Sequence, residues 1–501
     1  MKKLLSVLLV LAMVLGMASA VAEEEKTTIT CVIYDRGNVP ADHGTYEDNW
    51  ATRWINENAP VNVNFVACGR WDTYPNYNLW LAAGTCPDII MEYQPEYVQE
   101  WSSKGLLMEL HDLLDEYAPN YRELTPDFVQ RWGWYNGGEY AIVDQRSETA
   151  VLNRMMYIRQ DWLDNLGLEI PTTFDELLEV IRAFTEDDPD GNGENDTYGW
   201  SFKQSGMVLV ENMNGFNDES WIIEDGKPIA GYISNAGLAT LKFLETIYDN
   251  GWADKEFLGL ENDTEVYGEF ATGKLGIICG GVNSLSNNIW ETLMTYSPDA
   301  KVSPMASVGP NGFYQERECN YLMCIPAACE HPEAAIMYLD WLLKDGWEMI
   351  RYGVEGVDFE YRNGVAVRTI AADDKRFNYT GDYCVMSTYK DTIASTRAVA
   401  EAMDPADPKR ASKLIECDAM ELTVDIKYNR PAATNDFGCA EYTELYTDMW
   451  TIAEEYWAKA LSNPDYTAEQ AIEDIKAEWA GMGYEKLAEA MYECAVAQGA
   501  I

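Results

Sequence analysis

The side chains best spaced for binding chemistry lie in the acidic stretch of residues 187–199. A calcium-binding loop has ligands at positions 1, 3, 5 and 9 and a glycine at position 6; the matching residues here are Asp188, Asp190, Asn192, Asp196 and Gly193. Ca²⁺ needs six or more oxygens at short range, and alternate side chains on a tightly turning backbone can supply them. The match ends at position 12, where Gly199 replaces the usual bidentate glutamate. Two interpretations stay open, a calcium loop and a plain solvated turn.

Histidine-based or zinc-based catalysis has little support in the sequence. The only histidines are His43, His111 and His331, and there is no Cys-x-x-Cys pair. Eleven cysteines is an odd number, so at least one cannot pair within the chain. We interpret most of them as small buried hydrophobic residues, and their pairing stays open.

Composition excludes one class of partner. With 501 residues the chain can form more than one domain, and its formal charge of -48 repels phosphate backbones, so nucleic-acid binding is not expected. The 17 Trp and 31 Tyr residues suit either a rich core or flat surfaces on which sugar rings stack.

The N-terminus predicts export. Lys2 and Lys3 precede an apolar run over residues 4–17, and small residues at 18–22 supply a cleavage pattern. We therefore expect a signal peptide over residues 1–22 and a periplasmic, extracellular or cell-surface protein. The first cysteine, Cys31, does not follow a lipobox, so we expect no lipid anchor.

The N-terminal third of the chain alternates predicted strands with predicted helices. Residues 28–34 and 61–65 predict strands, and a helix that stops at Gly84 leads through Pro87-Asp88 into a short buried strand. This alternation is typical of an α/β lobe with a largely parallel sheet. Further along, Thr173 and Glu176 predict a capping box for a helix that runs into the acidic loop, and Thr467 with Gln470 predicts another.

Several segments in order resemble the extracellular solute-binding proteins of ABC transporters, in the sugar-binding family 1 group that is similar in architecture to maltose-binding protein. They include LAAGTCPDII, GLLMELHDLLDEYAPNY, YIRQDWLDNLGLEIPTTFDELLEVIRAF, GEFATGKLGIICGG and CNYLMCIPAACEHPEAAIMYLDWLL. The resemblance implies an α/β, two-lobe, type II periplasmic-binding-protein-like fold. Each lobe would be a mostly parallel sheet flanked by helices, with a helix-rich C-terminal part. Lobe 1 would comprise residues 23–146 and 315–350, and lobe 2 residues 147–314 and 351–501.

A receptor of this kind holds its ligand in a cleft between the lobes, with polar groups for sugar hydroxyls at strand ends. The side chains expected there follow predicted strands or flank the implied crossings between lobes: Asp35, Arg36, Glu92, Tyr93, Trp200, Asn283, Asn320, Tyr321 and Tyr352. Further aromatic candidates, each with burial in the core as the alternative, are Trp71, Trp134, Trp221, Trp252 and Trp290.

Some members of the family carry a similar acidic loop at this place, which favours a structural calcium ion. The implied ligands are the side chains of Asp188, Asp190, Asn192, Asp196 and Thr197 and the backbone carbonyl of Glu194. Because Thr197 stands where relatives have a glutamate, the expected affinity is that of extracellular sites, with a Kd of roughly 10⁻⁴–10⁻³ M.

The expected function is that of a secreted, monomeric, non-enzymatic receptor that hands a carbohydrate, an oligosaccharide, to ABC permease subunits. Two alternatives stay open. One is a secreted glycoside hydrolase that uses two carboxylates. The other is a calcium-dependent lectin in which the acidic loop itself touches the sugar.

Overall fold

The computed structural model describes residues 26–151, 155–201, 205–216, 221–254, 263–281, 283–309, 317–362, 364–370, 374–388, 390–424 and 440–497. The predicted signal peptide lies outside the described residues and stays a prediction. Within the described ranges, no helix is both long enough and apolar enough to span a membrane.

The strands, numbered in chain order, are β1 Thr28–Asp35, β2 Asn62–Gly69, β3 Ile90–Glu92, β4 Trp134–Tyr135, β5 Gly138–Glu139, β6 Ile142–Gln145, β7 Met155–Arg159, β8 Trp221–Glu224, β9 Lys227–Ala230, β10 Ile277–Gly280, β11 Val302–Met305, β12 Cys319–Cys324, β13 Phe359–Arg362 and β14 Val365–Arg368.

The α-helices are Trp50–Asn58, Thr73–Ala83, Pro95–Ser103, His111–Tyr117, Pro119–Leu124, Asp127–Gln130, Glu148–Val151, Gln160–Leu166, Phe174–Glu186, Ser205–Asn214, Asn235–Asp249, Asp263–Ala271, Trp290–Tyr296, Pro332–Trp341, Trp347–Tyr352, Ile393–Ala402, Pro408–Val424, Ala440–Ser462, Ala468–Met482 and Tyr484–Ala497. Short 3-10 turns lie at Arg131–Gly133, Gly231–Ile233 and Gly381–Tyr383, and π-helical turns at Leu285–Ile289 and Leu342–Gly346.

One sheet is built from β1, β2, β3, β6 and β12. β1 pairs in parallel with β2 over their whole length, so that Asp35 lies opposite Gly69. A parallel bridge joins Cys31 of β1 to Ile89, the residue directly before β3. β12 runs antiparallel to both β3 and β6. As a result β1, β2 and β3 all end at the same edge of this first sheet.

A second sheet is built from β10, β7 and β11, with β7 in the middle. All five residues of β7 are buried, as expected for a strand covered on both faces. β7 runs antiparallel to both neighbours, which differs from the expected parallel pairing. The physical reason is the helical connection between β10 and β11. It lets these two strands run in the same direction on either side of β7, which runs the opposite way.

Helices cover both sheets, and the C-terminal helices pack against the second one. Trp457 and Trp479 are buried in the same hydrophobic cluster as Trp162 and Phe184. The predicted helix caps form at two of the expected places. Thr467 and Gln470 make both bonds of a capping box. Thr173 accepts from the Glu176 N–H, whereas the Glu176 carboxylate turns back to Thr172. The α/β fold class and the helix-rich C-terminal part are confirmed.

Not all of the chain after residue 350 packs with the second sheet. Tyr379, Tyr383 and Met386 are buried in the hydrophobic cluster of the first sheet, together with Ile33 and Tyr338. The sequence assigned this whole region to the second lobe, and for these residues the apolar contacts lie with the first sheet instead. The domain boundaries as a whole stay a prediction.

The chain segments that connect the two sheets lie side by side. The chain leaves the first sheet at Gln145 and joins the second at Met155. The Arg146 N–H donates to the Glu318 carbonyl at 2.7 Å, and the Thr149 N–H donates to the Asp391 carbonyl at 3.4 Å. The segments around residues 146–149, 317–320 and 390–393 therefore meet at one place.

Candidate functional site

A cavity of about 360 Å³ lies beyond the strand ends of the first sheet, beside these connecting segments. Its wall is dominated by charged and amide side chains, with tyrosine rings among them. The charged side chains of the wall, with one amide and one tyrosine beside them, are Arg36, Asp144, Arg146, Asn320, Tyr321, Arg351, Asp382, Lys390 and Asp391.

Arg36 and Asp382 form the best-connected pair in this wall. The Arg36 guanidinium donates through Nε and Nη2 to the two Asp382 oxygens at 2.6 and 2.9 Å. The Tyr321 hydroxyl donates to the same carboxylate at 2.7 Å. Arg36 Nη2 also lies 3.2 Å from the Tyr93 hydroxyl, and the Tyr93 and Tyr321 rings are 4.6 Å apart. Burial, followed by the nearby Tyr93 and Asp382, raises the pKa of Tyr321, so its hydroxyl keeps its proton.

A second network joins the connecting segments. The Lys390 ammonium and the Asn320 amide donate to the two oxygens of Asp144 at 2.7 and 3.0 Å. Burial raises the pKa of Asp144, and the Lys390 charge opposes that shift. Arg351 pairs with Asp391 at 2.7 Å nearby. The cavity thus presents opposite charges in contact.

Glu92 does not face this cavity. Its side chain is buried, and one carboxylate oxygen accepts from the backbone N–H groups of Tyr93 and Gln94 at 2.6 and 3.1 Å. The other oxygen is buried without a hydrogen-bond partner in the described residues. Burial raises the Glu92 pKa, and the two backbone donors oppose that shift. Glu92 fixes the turn between β3 and the Pro95–Ser103 helix.

The structure brings together Arg36, Tyr93, Asn320 and Tyr321 of the predicted ligand-binding residues. Asp35 lies next to them, exposed, with its carboxylate accepting from the Gly37 N–H at 2.8 Å.

Three other predicted residues lie elsewhere. Trp200 is in the core of the second sheet with 1% of its surface exposed, so it cannot stack on a ligand. Tyr352 packs against Trp347 and Phe359 in a separate buried cluster. Asn283 accepts from Lys413 at 3.3 Å and does not line the cavity.

Sequence reasoning missed the cavity residues Asp144, Arg146, Arg351, Asp382, Lys390 and Asp391. For Asp144 and Arg146 a signal existed, because Asp144 lies within β6 directly after the buried Ile142 and Val143, and Arg146 follows the end of this strand at the implied crossing. The residues from 378 to 391 carry no such signal, since apart from one 3-10 turn the described part of that segment has no regular element.

Among the aromatic candidates, Trp221 and Trp290 are buried, and Trp252 is partly buried and packs against the core of the second sheet. Trp134 is 46% exposed and Trp71 is 88% exposed, so the core alternative fails for Trp71.

The acidic loop folds back on itself directly after the Phe174–Glu186 helix. The Asp188 carboxylate accepts from the N–H groups of Asn192 and Gly193 at 3.0 and 2.9 Å. The Asn192 amide donates to Asp190 and Asp196 at 3.0 and 3.2 Å. Burial, and then the neighbouring carboxylates, raises the pKa of Asp190. The Asp190 and Asp196 carboxylates therefore lie on either side of the Asn192 side chain, whose amide N–H groups meet both of them.

Two features of the loop differ from the calcium pattern. The Thr197 hydroxyl is buried and donates to the Phe184 carbonyl at 2.6 Å, so Thr197 fastens the loop to the helix and is removed from the predicted ligands. At Gly199 a Cβ would lie 2.4 Å from the Ile181 carbonyl oxygen, which explains why no glutamate stands at position 12. The Glu194 N–H donates to the Asn192 side chain at 2.7 Å, and the role of the Glu194 carbonyl as a ligand stays a prediction. In the described ranges, no three carboxylate, thiolate or imidazole groups stand close enough together to hold a metal ion without rearrangement.

Comparison with known proteins places the chain among binding proteins. Residues 39–349 match the family described as bacterial extracellular solute-binding protein. The chain is 28% identical over 303 residues to the polygalacturonan/rhamnogalacturonan-binding protein YtcQ of Bacillus subtilis, covering 56% of this chain and 58% of YtcQ. It is 29% identical over 208 residues to the fructooligosaccharide ABC transporter substrate-binding protein FusA of Streptococcus pneumoniae, covering 38% of each. The chain thus matches less than two thirds of the length of either relative.

The fold agrees with this match. An extracellular solute-binding protein from Bifidobacterium longum subsp. infantis superposes with a TM-score of 0.71 at 17% identity, over 94% of this chain and 98% of that protein. The family match covers more than half of this chain. The chain belongs to the bacterial extracellular solute-binding protein family.

Proposed function

We infer that this protein is an exported substrate-binding receptor of an ABC importer that captures an oligosaccharide between two lobes and delivers it to permease subunits. The observation that carries this proposal is the polar cavity at the strand ends of the first sheet, where carboxylates, cations, an amide and tyrosines meet. The names of YtcQ and FusA, which describe carbohydrate binding, support the same ligand class.

The chemistry of the cavity suits a ligand with many hydroxyl groups. Each hydroxyl is one donor and two acceptors. Asp382 and Asp144 offer acceptors, and Arg36, Lys390 and Asn320 offer donors, already oriented by their mutual contacts. A sugar would replace the water on these groups without having to turn them, which lowers the cost of binding.

The two-lobe boundaries enter this proposal in revised form. The second lobe would begin near residue 147 and return to the first near residue 317. The last crossing would lie near residue 390, because Tyr379, Tyr383 and Met386 pack with the first sheet. The cavity would then sit at all three crossings, where lobe closure changes its shape.

The hydrolase alternative needs a carboxylic acid and a second carboxylate free to react. In the cavity, Asp144, Asp382 and Asp391 each contact a cation. Burial raises the pKa of the lining thiol of Cys384 to about 12, so it is no nucleophile at neutral pH. We therefore favour binding over catalysis.

Isothermal calorimetry against oligosaccharides, with product analysis of the same mixtures, tests the proposal. We expect stoichiometric binding and intact sugar; turnover would overturn the receptor role in favour of the hydrolase.

Asp382→Asn weakens the hydrogen bonds that hold the Arg36 guanidinium in place. It should reduce saccharide affinity roughly tenfold or more, because a charged hydrogen bond contributes about 1.5–3 kcal/mol. Asp418→Asn disturbs the exposed pair with Arg397 and is the matched control, with affinity unchanged.

A structural calcium ion in the acidic loop is part of the proposal. Asp188, Asp190, Asn192 and Asp196 would supply side-chain oxygens and Glu194 its carbonyl, with the Asn192 amide turned so that its oxygen faces the ion. When bound, the ion would neutralise the crowded carboxylates and clip the Phe174–Glu186 helix to the chain near Trp200. The cavity is lined by none of these residues, which favours a structural role over the lectin alternative.

Chelation separates these roles. We expect a chelator to lower the melting temperature of calcium-loaded protein while saccharide affinity at a temperature where it stays folded is unchanged. An unaltered melting curve would remove the calcium site, and loss of sugar binding in folded, chelated protein would favour the lectin.

A further inference from the structure

A tight turn directly after β2 presents two side chains outside the cavity. The Asp72 N–H donates to the Gly69 carbonyl at 2.9 Å, which leaves Arg70 and Trp71 at the tip of the turn. A Cβ at residue 69 would lie 2.5 Å from an Asp72 carboxylate oxygen, so glycine suits the position. The Trp71 side chain is 88% exposed, the largest exposed fraction among the large hydrophobic residues of the described ranges.

Arg70 turns its guanidinium toward aromatic rings. Its central carbon lies 5.0 Å from the Tyr34 ring centroid, 4.6 Å from that of Tyr93 and 4.9 Å from that of Trp71. Such cation–π contacts hold a guanidinium in place without using its N–H groups. The side-chain contacts of Arg70 among the described residues are these three ring contacts, with no hydrogen bond and no ion pair beside them. Its five donors are thus oriented by the rings and open to a ligand.

The turn is continuous with the cavity. Asp35, where β1 ends, lies opposite Gly69, and the Arg70 N–H donates to the Asp35 carbonyl at 3.2 Å. From Arg70 the contacts run through Tyr93 to Tyr321, whose rings are 4.6 Å apart, and Tyr321 lines the cavity. Trp71 therefore stands at the outer end of a row of side chains that begins in the cavity wall.

Exposing the apolar face of an indole to water is unfavourable. Within the described residues, no other side chain covers the indole of Trp71. Indole combines a broad apolar face with low conformational entropy, which makes exposed tryptophan a favourable contact residue. The C–H face of a sugar ring matches that apolar face, and its hydroxyl edge matches the Arg70 donors. Trp71 and Arg70 together therefore offer both an apolar surface and hydrogen-bond donors to one sugar unit.

We propose that Trp71 and Arg70 form an outer saccharide subsite, which binds one unit of an oligosaccharide whose other end occupies the cavity. Trp71 stacks on the ring, and Arg70 donates to its hydroxyl or carboxylate oxygens. This proposal rests on the proposed receptor function, and it adds that the ligand is longer than the cavity.

The test is the dependence of affinity on ligand length. The probes are oligogalacturonates and fructo-oligosaccharides of one to five units, titrated by calorimetry into wild type, Trp71→Ala and Arg70→Gln. We expect each variant to bind the shortest bound member as wild type does and the longer members roughly 3- to 10-fold more weakly, as for one lost aromatic contact. Trp71→Tyr should restore most of the Trp71→Ala loss.

The matched control is Trp134→Ala, which removes a half-exposed indole that lies against His111, away from the cavity. Its affinities should equal those of wild type at every length. A length-independent loss in Trp71→Ala, or no loss at any length, overturns the subsite while wild-type binding keeps the receptor role. Wild-type protein that binds no member of either series overturns this subsite, and the wider saccharide panel then decides the receptor role separately.

Discussion

At the scale of single residues, the cavity is built from opposite charges in contact. A carboxylate has about four acceptor sites, and Asp382 uses three of them for Arg36 and Tyr321. A ligand hydroxyl can use what remains without breaking the pair. Such pairing also explains how a chain with a formal charge of -48 can keep carboxylates in a cavity. Their repulsion is met locally by Arg36, Lys390 and Arg351.

Glu92 leads to a prediction about pH. Its pKa in the folded protein is raised by burial above the ordinary glutamate value of 4.5. A raised folded pKa means that its stabilising contribution is fully present below the unfolded pKa and is lost as pH rises through the folded pKa. Glu92→Gln, which cannot titrate, should therefore gain in free energy of unfolding relative to wild type as pH rises from 4 to 7.

Urea unfolding of the ligand-free proteins at several pH values measures this difference. Glu123→Gln, at an exposed position, is the control and should track wild type throughout. A constant difference between Glu92→Gln and wild type across this range would show that Glu92 does not titrate abnormally.

Individual residues of the site could be predicted from the sequence only where they lie in or directly after a predicted strand. Arg36 directly follows β1, and Asn320 and Tyr321 lie in β12, so periodicity and the family resemblance located them. Asp382 and Lys390 lie in a segment without strands, and long-range packing of Tyr379 and Tyr383 on the first sheet places them. Trp200 failed for the opposite reason, because tertiary packing buried a residue whose sequence position suited a cleft.

At the scale of elements, the acidic loop and the helix before it act as one unit. Thr197 bonds to the Phe184 carbonyl, Asn195 to the Glu186 carbonyl at 3.0 Å, and Asn165 to the Pro189 carbonyl at 3.0 Å. The loop is therefore fastened at both ends by bonds that do not depend on an ion. Helix caps and the helix end at Gly84 could be predicted, because they depend on the local sequence. The direction of β7 in its sheet could not, because it depends on partner strands more than 100 residues away.

The close packing of Gly199 against the Phe174–Glu186 helix leads to a prediction about stability. In Gly199→Ala the new Cβ would meet the Ile181 backbone at 2.4–2.8 Å, and neither backbone can move without disturbing the helix. We expect a loss of about 1–3 kcal/mol in the free energy of unfolding, as for other overpacked sites.

Urea unfolding at neutral pH measures that loss. The control is Gly268→Ala in the Asp263–Ala271 helix, where a Cβ meets nothing within 4 Å, and alanine there should stabilise by about 0.5–1 kcal/mol. If Gly199→Ala were as stable as wild type, close packing would not explain the missing glutamate at position 12.

At the scale of the whole molecule, the segments that connect the two sheets meet beside the cavity. Asp144 from the first segment is buried, and it accepts from the partly buried Asn320 of the second segment and Lys390 of the third. The two-sheet plan and the approximate first crossing followed from the sequence through alternating elements and ordered family motifs. The meeting of three distant segments did not follow, because no local pattern records contacts between residues 144 and 390.

Lys390→Met tests whether this network holds the crossings together. The change leaves Asp144 buried without its cation, and breaking a buried pair in this way costs about 3–5 kcal/mol. Without Lys390 the folded pKa of Asp144 should rise further, so the loss should be largest at pH 7 and shrink as acid protonates Asp144.

Urea unfolding at pH 4.5 and pH 7 measures both effects. Lys301→Met, which breaks the exposed pair with Asp164, is the control and should change stability little at either pH. A loss that is equal at both pH values would mean that Lys390 contributes by packing alone, and the crossings would then be held by their backbone hydrogen bonds rather than by the Asp144 charge.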